Sequence, residues 1–295
     1  MNVYNAVSAN KRKTWIIMVL FVVFITTLTY VYGQANGYGL TYAGIALVIA
    51  GITSFGSYYV SDSLVLATTG AKQVSQDQSP ELYKTVENLS IGSGLSMPKV
   101  YLIDDPSPNA FATGRDPKHA SIAVTTGLLQ KLSKTELEGV IAHELSHIKN
   151  FDTRLMAVTA ILVGFVAILG DIFMRSLWFS GKGRSNKAGG IFAVIGIVFV
   201  LLSPIVASLI QLAISRKREF LADASGVLLT RYPEGLASAL EKIARDPLPL
   251  RTASNATAHL FIENPFKNKS SGAWFSSLFN THPPAEERIK LLRSM

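Results

Sequence analysis

The sequence predicts a mainly α integral membrane protein, with four apolar helices interrupted by a small α+β unit that lies outside the bilayer. Three observations carry that reading. Only 16% of the 295 residues are charged and 48% are hydrophobic, against ~25% charged in an ordinary soluble domain. Four apolar runs approach or exceed the roughly 20 helical residues that span a bilayer. Between the second and third run the composition turns soluble, and that stretch closes on His143-Glu144-Leu145-Ser146-His147.

The first run, Thr14 to Tyr32, follows Lys11-Arg12-Lys13 and contains no charge. A cleaved signal peptide competes for it, but the run exceeds the 7–15 residues of a signal core and reads as a retained anchor. Trp15, Tyr30 and Tyr32 mark its ends as an aromatic belt does. A loop from Gly33 to Gly39 leads to the second run, Leu40 to Val60, where Ala43, Gly44, Ala46, Ala50 and Gly51 suit close helix packing in lipid. Residues 14–60 are thus expected to form a helical hairpin.

Residues 61–153 read as the first part of the soluble unit. A helix is expected over Glu81–Ile91, with strands at Lys99–Ile103, Asn109–Gly114 and Ser121–Thr125. Ser133 and Glu136 are spaced as a capping box, and Leu137, Val140, Ile141, Leu145 and Ile148 follow at helical spacing. On that helix His143 and His147 stand one turn apart on one face, so both imidazoles can aim at one point. Glu144 lies a step round, within reach of a metal-held water. Two neutral nitrogens, an open position and a carboxylate base are what a zinc hydrolase requires. Five His and eleven Glu in this chain give roughly 0.003 chance matches to the H-E-x-x-H pattern. The competing reading is an ordinary amphipathic helix whose histidines are merely polar neighbours.

After Asn150 and Asp152 break the pattern, residues 154–214 hold a third run, Leu155 to Met174, and a fourth, Ile191 to Ile214. The loop between them carries Lys182, Arg184 and Lys187, and Pro204 interrupts the fourth run, so a membrane-dipping hairpin is the alternative to two spans. Arg216-Lys217-Arg218 then mirrors residues 11–13 across an even number of spans. The positive-inside rule puts both termini and the soluble unit in the cytosol. The net charge of +8 is explained by this topology, and no nucleic-acid partner is expected.

Residues 215–295 complete the soluble unit, with helices from Glu234 to Ala244 and after Thr281-His282-Pro283-Pro284, and a polar stretch from Lys267 to Gly272. A catalytic zinc usually takes three protein ligands, and the absence of cysteine leaves His119, His259, His282 or a carboxylate for the third. Glu219 is the best candidate, with Asp223 one turn on to accept a proton from a ligand imidazole. Its other reading is a surface residue balancing Arg216 and Lys217. His119 sits in a turn and reads as surface, and His259 as a structural residue near the cleft.

His143-Glu144-Leu145-Ser146-His147 with Glu219-Phe220-Leu221-Ala222-Asp223 resembles the membrane metalloprotease family that includes the HtpX-type heat-shock proteases and the type I prenyl-CaaX proteases. Asn109-Ala110-Phe111-Ala112-Thr113-Gly114 looks like that family's strand at the active-site rim. Thr281-His282-Pro283-Pro284 followed by Glu287-Arg288-Ile289 looks like its C-terminal His/Arg motif. The resemblance implies a zincin-like (gluzincin) domain with one zinc ion on His143, His147 and Glu219, and Glu144 as base. It further implies substrate laid along Asn109, Ala110, Phe111, Ala112 and Thr113, and His282 and Arg288 stabilising the oxyanion or holding substrate. The setting it implies is a bacterial inner membrane, with damaged or misfolded membrane proteins as substrates and other membrane quality-control proteases as candidate partners. A transporter with a metal site would need ionisable groups within the spans, where Asp171 and Gln211 are the main polar candidates. A non-catalytic chaperone is the third reading, and the presence of Glu144 speaks against it.

Overall fold

The computed structural model describes residues 3–35, 40–180, 216–254, 256–266 and 283–295. The fourth expected span, the Lys267–Gly272 stretch and His282 lie outside the described residues.

Helices α1 (Val3–Ala35) and α2 (Leu40–Thr68) contain the first two apolar runs and overshoot both, α2 by about two turns. Within them Val7–Tyr30 and Ala43–Thr68 are long and apolar enough to cross a membrane. The third run lies in α6 (Asp152–Ser180). Ile17, Phe21 and Ile25 recur every fourth residue on α1 and pack with Met18 against Ala46 and Ala50 of α2 and Leu155, Val158 and Leu162 of α6. The two alanines let the helix backbones approach closely. Trp15, Val19 and Val23 on α1, with Val48, Ile49 and Ile52 on α2, face outward and are exposed. An apolar outer surface of that extent is suited to lipid and unfavourable in water.

The soluble unit is built on a four-stranded mixed sheet in the order β1-β2-β4-β3: Lys72–Gln73, Lys99–Ile103, Ala120–Thr125 and Ala110–Gly114. β2 runs parallel to β4, while β1–β2 and β3–β4 are antiparallel, with Ala110 opposite Val124 and Ala112 opposite Ile122. Side chains of β3 alternate between two cores, as strand geometry requires. Ala110 and Ala112 join the cluster under α5 (Lys134–Lys149), and Phe111 faces Val65, Leu66 and Met156 of α2 and α6. Helix α3 (Pro80–Ser93) brackets the expected 81–91, and α8 (Pro233–Arg245) the expected 234–244. The sequence reading missed β1 and α4 (Thr126–Lys131). Two and six residues are too few to show a period, and α4 depends on one cap, the Leu128 N–H donated to Thr125 Oγ1 at 3.2 Å.

α5 carries the motif and is covered by α3, α8 and α7 (Arg216–Thr230). Its apolar face is the expected one: Leu137, Val140, Ile141, Leu145 and Ile148 are all buried. Glu136 reaches back to accept the Ser133 N–H at 2.7 Å, and is gripped by Lys242 Nζ and Ser238 Oγ, each at 2.7 Å. α8 crosses α5 almost backbone to backbone. A Cβ on Gly139 would stand 2.7 Å from Leu236 N, and one on Gly235 2.7 Å from Thr135 O, so glycine is required at both. Only Asn150 and Phe151 separate α5 from α6. Phe151 turns the corner at φ 59° and donates its N–H to Ile148 O at 3.2 Å.

Candidate active site

On α7, Glu219, Asp223 and Gly226 follow at i, i+4 and i+7, which is one helical face. That face meets α5 at His143: a Cβ on Gly226 would lie 3.1 Å from His143 N. The absent side chain lets the two helices close until the carboxylates reach the histidines. His143 Nε2 and His147 Nε2 face each other at 3.1 Å. Glu219 Oε2 lies 3.7 Å from the first and Oε1 3.5 Å from the second. One donor atom from each of the three residues falls within 4.8 Å of the others, and all three residues are buried. Two nitrogens about 2.0–2.1 Å from one tetrahedral ion lie roughly 3.3 Å apart, so the spacing fits a metal.

The far side of each imidazole is held by a carboxylate. His143 Nδ1 lies 2.9 Å from Asp223 Oδ1, and His147 Nδ1 lies 3.0 Å from Asp152 Oδ2. Holding the Nδ1 proton there leaves Nε2 as the lone-pair nitrogen aimed at the metal position. Burial disfavours a charged His147, but Glu219, the hydrogen bond and charge of Asp152, and Glu144 outweigh it and raise its pKa to about 9. A metal therefore displaces a proton on entering.

Glu144 is buried beside this group, near the backbone of Ala112 on β3. Burial pushes its carboxyl pKa up, and positive charge on His143 and His147 works against that shift. A raised carboxyl is suited to taking and returning a proton near neutral pH. The edge of β3 is engaged at its start, where Ile262 N donates to Ala110 O at 3.0 Å and Asn109 Nδ2 to Glu263 O at 3.1 Å.

Arg288, on α9 (Ala285–Leu292), sits behind the site. The family resemblance implies that it stabilises the oxyanion or holds substrate. In the structure each of its three nitrogens already meets an acceptor: Nε and Nη2 grip Asp223 at 2.9 and 2.6 Å, and Nη1 reaches Ile262 O at 3.2 Å. It holds the carboxylate that holds His143, with Nη1 3.7 Å from Glu219 Oε2. Under that fork Asp223 has its carboxyl pKa lowered to about 2, burial opposing and Arg288 and His143 prevailing. His119 is half-exposed on Asp116 at 2.8 Å, and His259 is buried with Nε2 3.2 Å from Met156 O. Asp152 is a group of the site that sequence reasoning missed. Asp152 stands five residues past His147 at the start of another helix, where no motif spacing marks it.

Comparison with known proteins agrees with this geometry. A family model described as peptidase family M48 matches residues 76–295. The chain is 46% identical over 294 residues to a protease HtpX homolog of Dictyoglomus turgidum, covering 99% of this chain and 94% of that one. It is 45% identical over 305 residues to one from Lactobacillus acidophilus, covering 99% of each. Among solved structures it resembles the crystal structure of S. mikatae Ste24p, with TM-score 0.53 and 18% identity, over 95% of this chain and 66% of that one. That likeness extends the shared fold to a longer chain. A buried His-His-Glu group beside a buried glutamate, on a chain that these relatives match almost end to end, has one assignment: the protein belongs to peptidase family M48 and is a metalloprotease.

Proposed function

We propose that this protein is a zinc-dependent endopeptidase of a bacterial inner membrane that cleaves damaged or misfolded membrane proteins from the cytosolic side. The observation that carries the chemistry is the convergence of His143, His147 and Glu219 beside the buried Glu144. Residues 61–153 and 215–295 would together form the protease domain, and 14–60 and 154–214 the membrane part. The outward apolar faces of α1 and α2 support the membrane setting.

His143, His147 and Glu219 would hold one zinc ion, which when bound would supply a water of pKa ~7 and a Lewis acid for the scissile carbonyl. Glu144 takes the proton from the attacking water and returns it to the leaving amine. Asp223 and Asp152 keep the imidazoles aimed. Arg288 acts through Asp223, and His282 is the group proposed beside the developing oxyanion. Substrate would lie extended along Asn109–Thr113, where the Ala110 end is already bonded to Ile262. Backbone pairing of that kind gives little sequence specificity.

The test is metal content and casein cleavage on the same preparations. His143→Ala, His147→Ala and Glu219→Ala are each expected to lose metal and activity, and Glu144→Gln to keep metal and be inert. A Glu144→Gln protein that loses its metal, or still cleaves, overturns the assignment. In cells, Glu144→Gln should trap membrane proteins, and capture of soluble proteins alone would remove the quality-control role.

A further inference from the structure

The apolar stripe that packs α1 onto α6 continues toward the N-terminus in polar form. Ile25, Phe21 and Ile17 are followed on the same face by Thr14 and Asn10, both buried. Thr14 Oγ1 donates back to Asn10 O at 2.9 Å, inside the helix. The Asn10 side chain leaves its helix. Its Nδ2 donates to Asp152 Oδ1 at 2.6 Å and to Asn150 O at 2.9 Å. Both partners are acceptors, which fixes the amide nitrogen as the atom facing them. The other oxygen of the same Asp152 carboxylate lies 3.0 Å from His147 Nδ1. Arg218 Nη1 approaches Oδ1 at 3.6 Å.

The geometry points to Asn10, in the N-terminal helix, as a positioning residue that fixes the Asp152 carboxylate and through it the metal-facing nitrogen of His147. The inference rests on the zinc site proposed above. A carboxylate with one oxygen on the imidazole can still turn about its own bond. A second donor on the other oxygen, anchored on a different helix, removes that freedom. The seam below sets the register, since Ile17, Phe21 and Ile25 hold α1 against α6 and so place Asn10 opposite Asp152. α1 therefore reaches the metal site and is more than an anchor. Loss of such outer partners typically costs about 10- to 100-fold in metal affinity, and a residue one bond further out belongs at the lower end.

The test uses the full chain in detergent, with zinc affinity from chelator competition and the visible spectrum of the cobalt-substituted protein as readouts independent of turnover. Asn10→Leu is expected to weaken zinc binding about 10-fold and to alter the cobalt spectrum. Val100→Ala, in the core under α5 and outside the α1–α6 seam, should lower Tm and leave both readouts unchanged. In an Asp152→Ala background, Asn10→Leu should weaken binding no further. If Asn10→Leu does not accumulate, Asn10→Ser, whose donor is too short to reach, is read in the same way. Parental affinity and spectrum in the Asn10 variant, or a full extra loss in the Asp152→Ala background, overturns the inference and leaves the zinc site standing. A parent protein that binds no zinc overturns both.

Discussion

Replacing Arg288 by Met exposes the energetics of the site's buried scaffold. Arg288 and Asp223 are almost fully buried and joined by two short hydrogen bonds. Asp223 holds its carboxyl near pKa 2, against about 3.9 in an unfolded chain, which corresponds to roughly 2.6 kcal/mol of stability at neutral pH. Because the folded value is the lower one, that contribution is complete above about pH 4–5 and is lost as pH falls through about 2. Methionine preserves much of the volume but removes the cation, leaving a buried carboxylate with His143 as its charge partner. The expected cost is about 3–5 kcal/mol at pH 7. Urea titration read by pulse proteolysis, in detergent and with chelator so that metal adds nothing, measures it. Adding Asp223→Asn should restore about 2 kcal/mol, since the carboxylate that the lost cation stranded is then neutral. A loss below about 1 kcal/mol, or a double variant no more stable than Arg288→Met, would refute the argument that the fork holds this site together.

Three further outcomes follow. His282→Ala should keep zinc and Tm but lower kcat by about 10²–10³ with little change in KM, as loss of an oxyanion donor does; a fall in Tm at unchanged kcat would make His282 a scaffold residue. Glu136 has its carboxyl pKa lowered, burial opposing and Lys242, Ser238 and Ser133 prevailing, so its contribution is full above the unfolded value near 4.3 and fades as pH falls through the lower folded one. Glu136→Gln should be less stable at pH 7 and lose less between pH 6 and 3, and parallel pH–stability curves would count against it. Topology reporters fused after Ala71 and at the C-terminus should both read cytosol, and a periplasmic signal from either reverses the orientation.

The sequence was most informative where periodicity and chemistry coincide. Leu137 to Ile148 at helical spacing, and histidines one turn apart, announced α5 and its metal-facing side. Glu219 and Asp223 were legible from position, as carboxylates one turn apart on the helix after the fourth apolar run, with His119, His259 and His282 still open as third ligands. Asp152 and Asn10 were not, because their meaning arises only when α1, α6 and α5 pack together across about 140 positions of sequence. Arg288 was found, but its grip on Asp223 was not: its residue type fits both a substrate cleft and a buried carboxylate, and the contact arises only when α9 packs behind α7. Gly139, Gly226 and Gly235 carry no mark in the sequence of the backbones they let touch.

The two-residue corner between α5 and α6 gives the proposed membrane protease a fixed reach. A catalytic domain on a flexible stalk samples a wide shell above the lipid and cuts wherever a chain is slack. Here Asn150 and Phe151 are the whole connection, and Asp152, the first residue of α6, is itself bonded to the site. His147 precedes the apolar run at Leu155 by eight residues, and with the turn between them the site stands roughly 10 Å above the start of that run. A substrate chain leaving the bilayer alongside α6 spans that height in about three extended residues. The scissile bonds in natural substrates should therefore cluster within a few residues of a membrane exit point, so that the enzyme measures as it cuts.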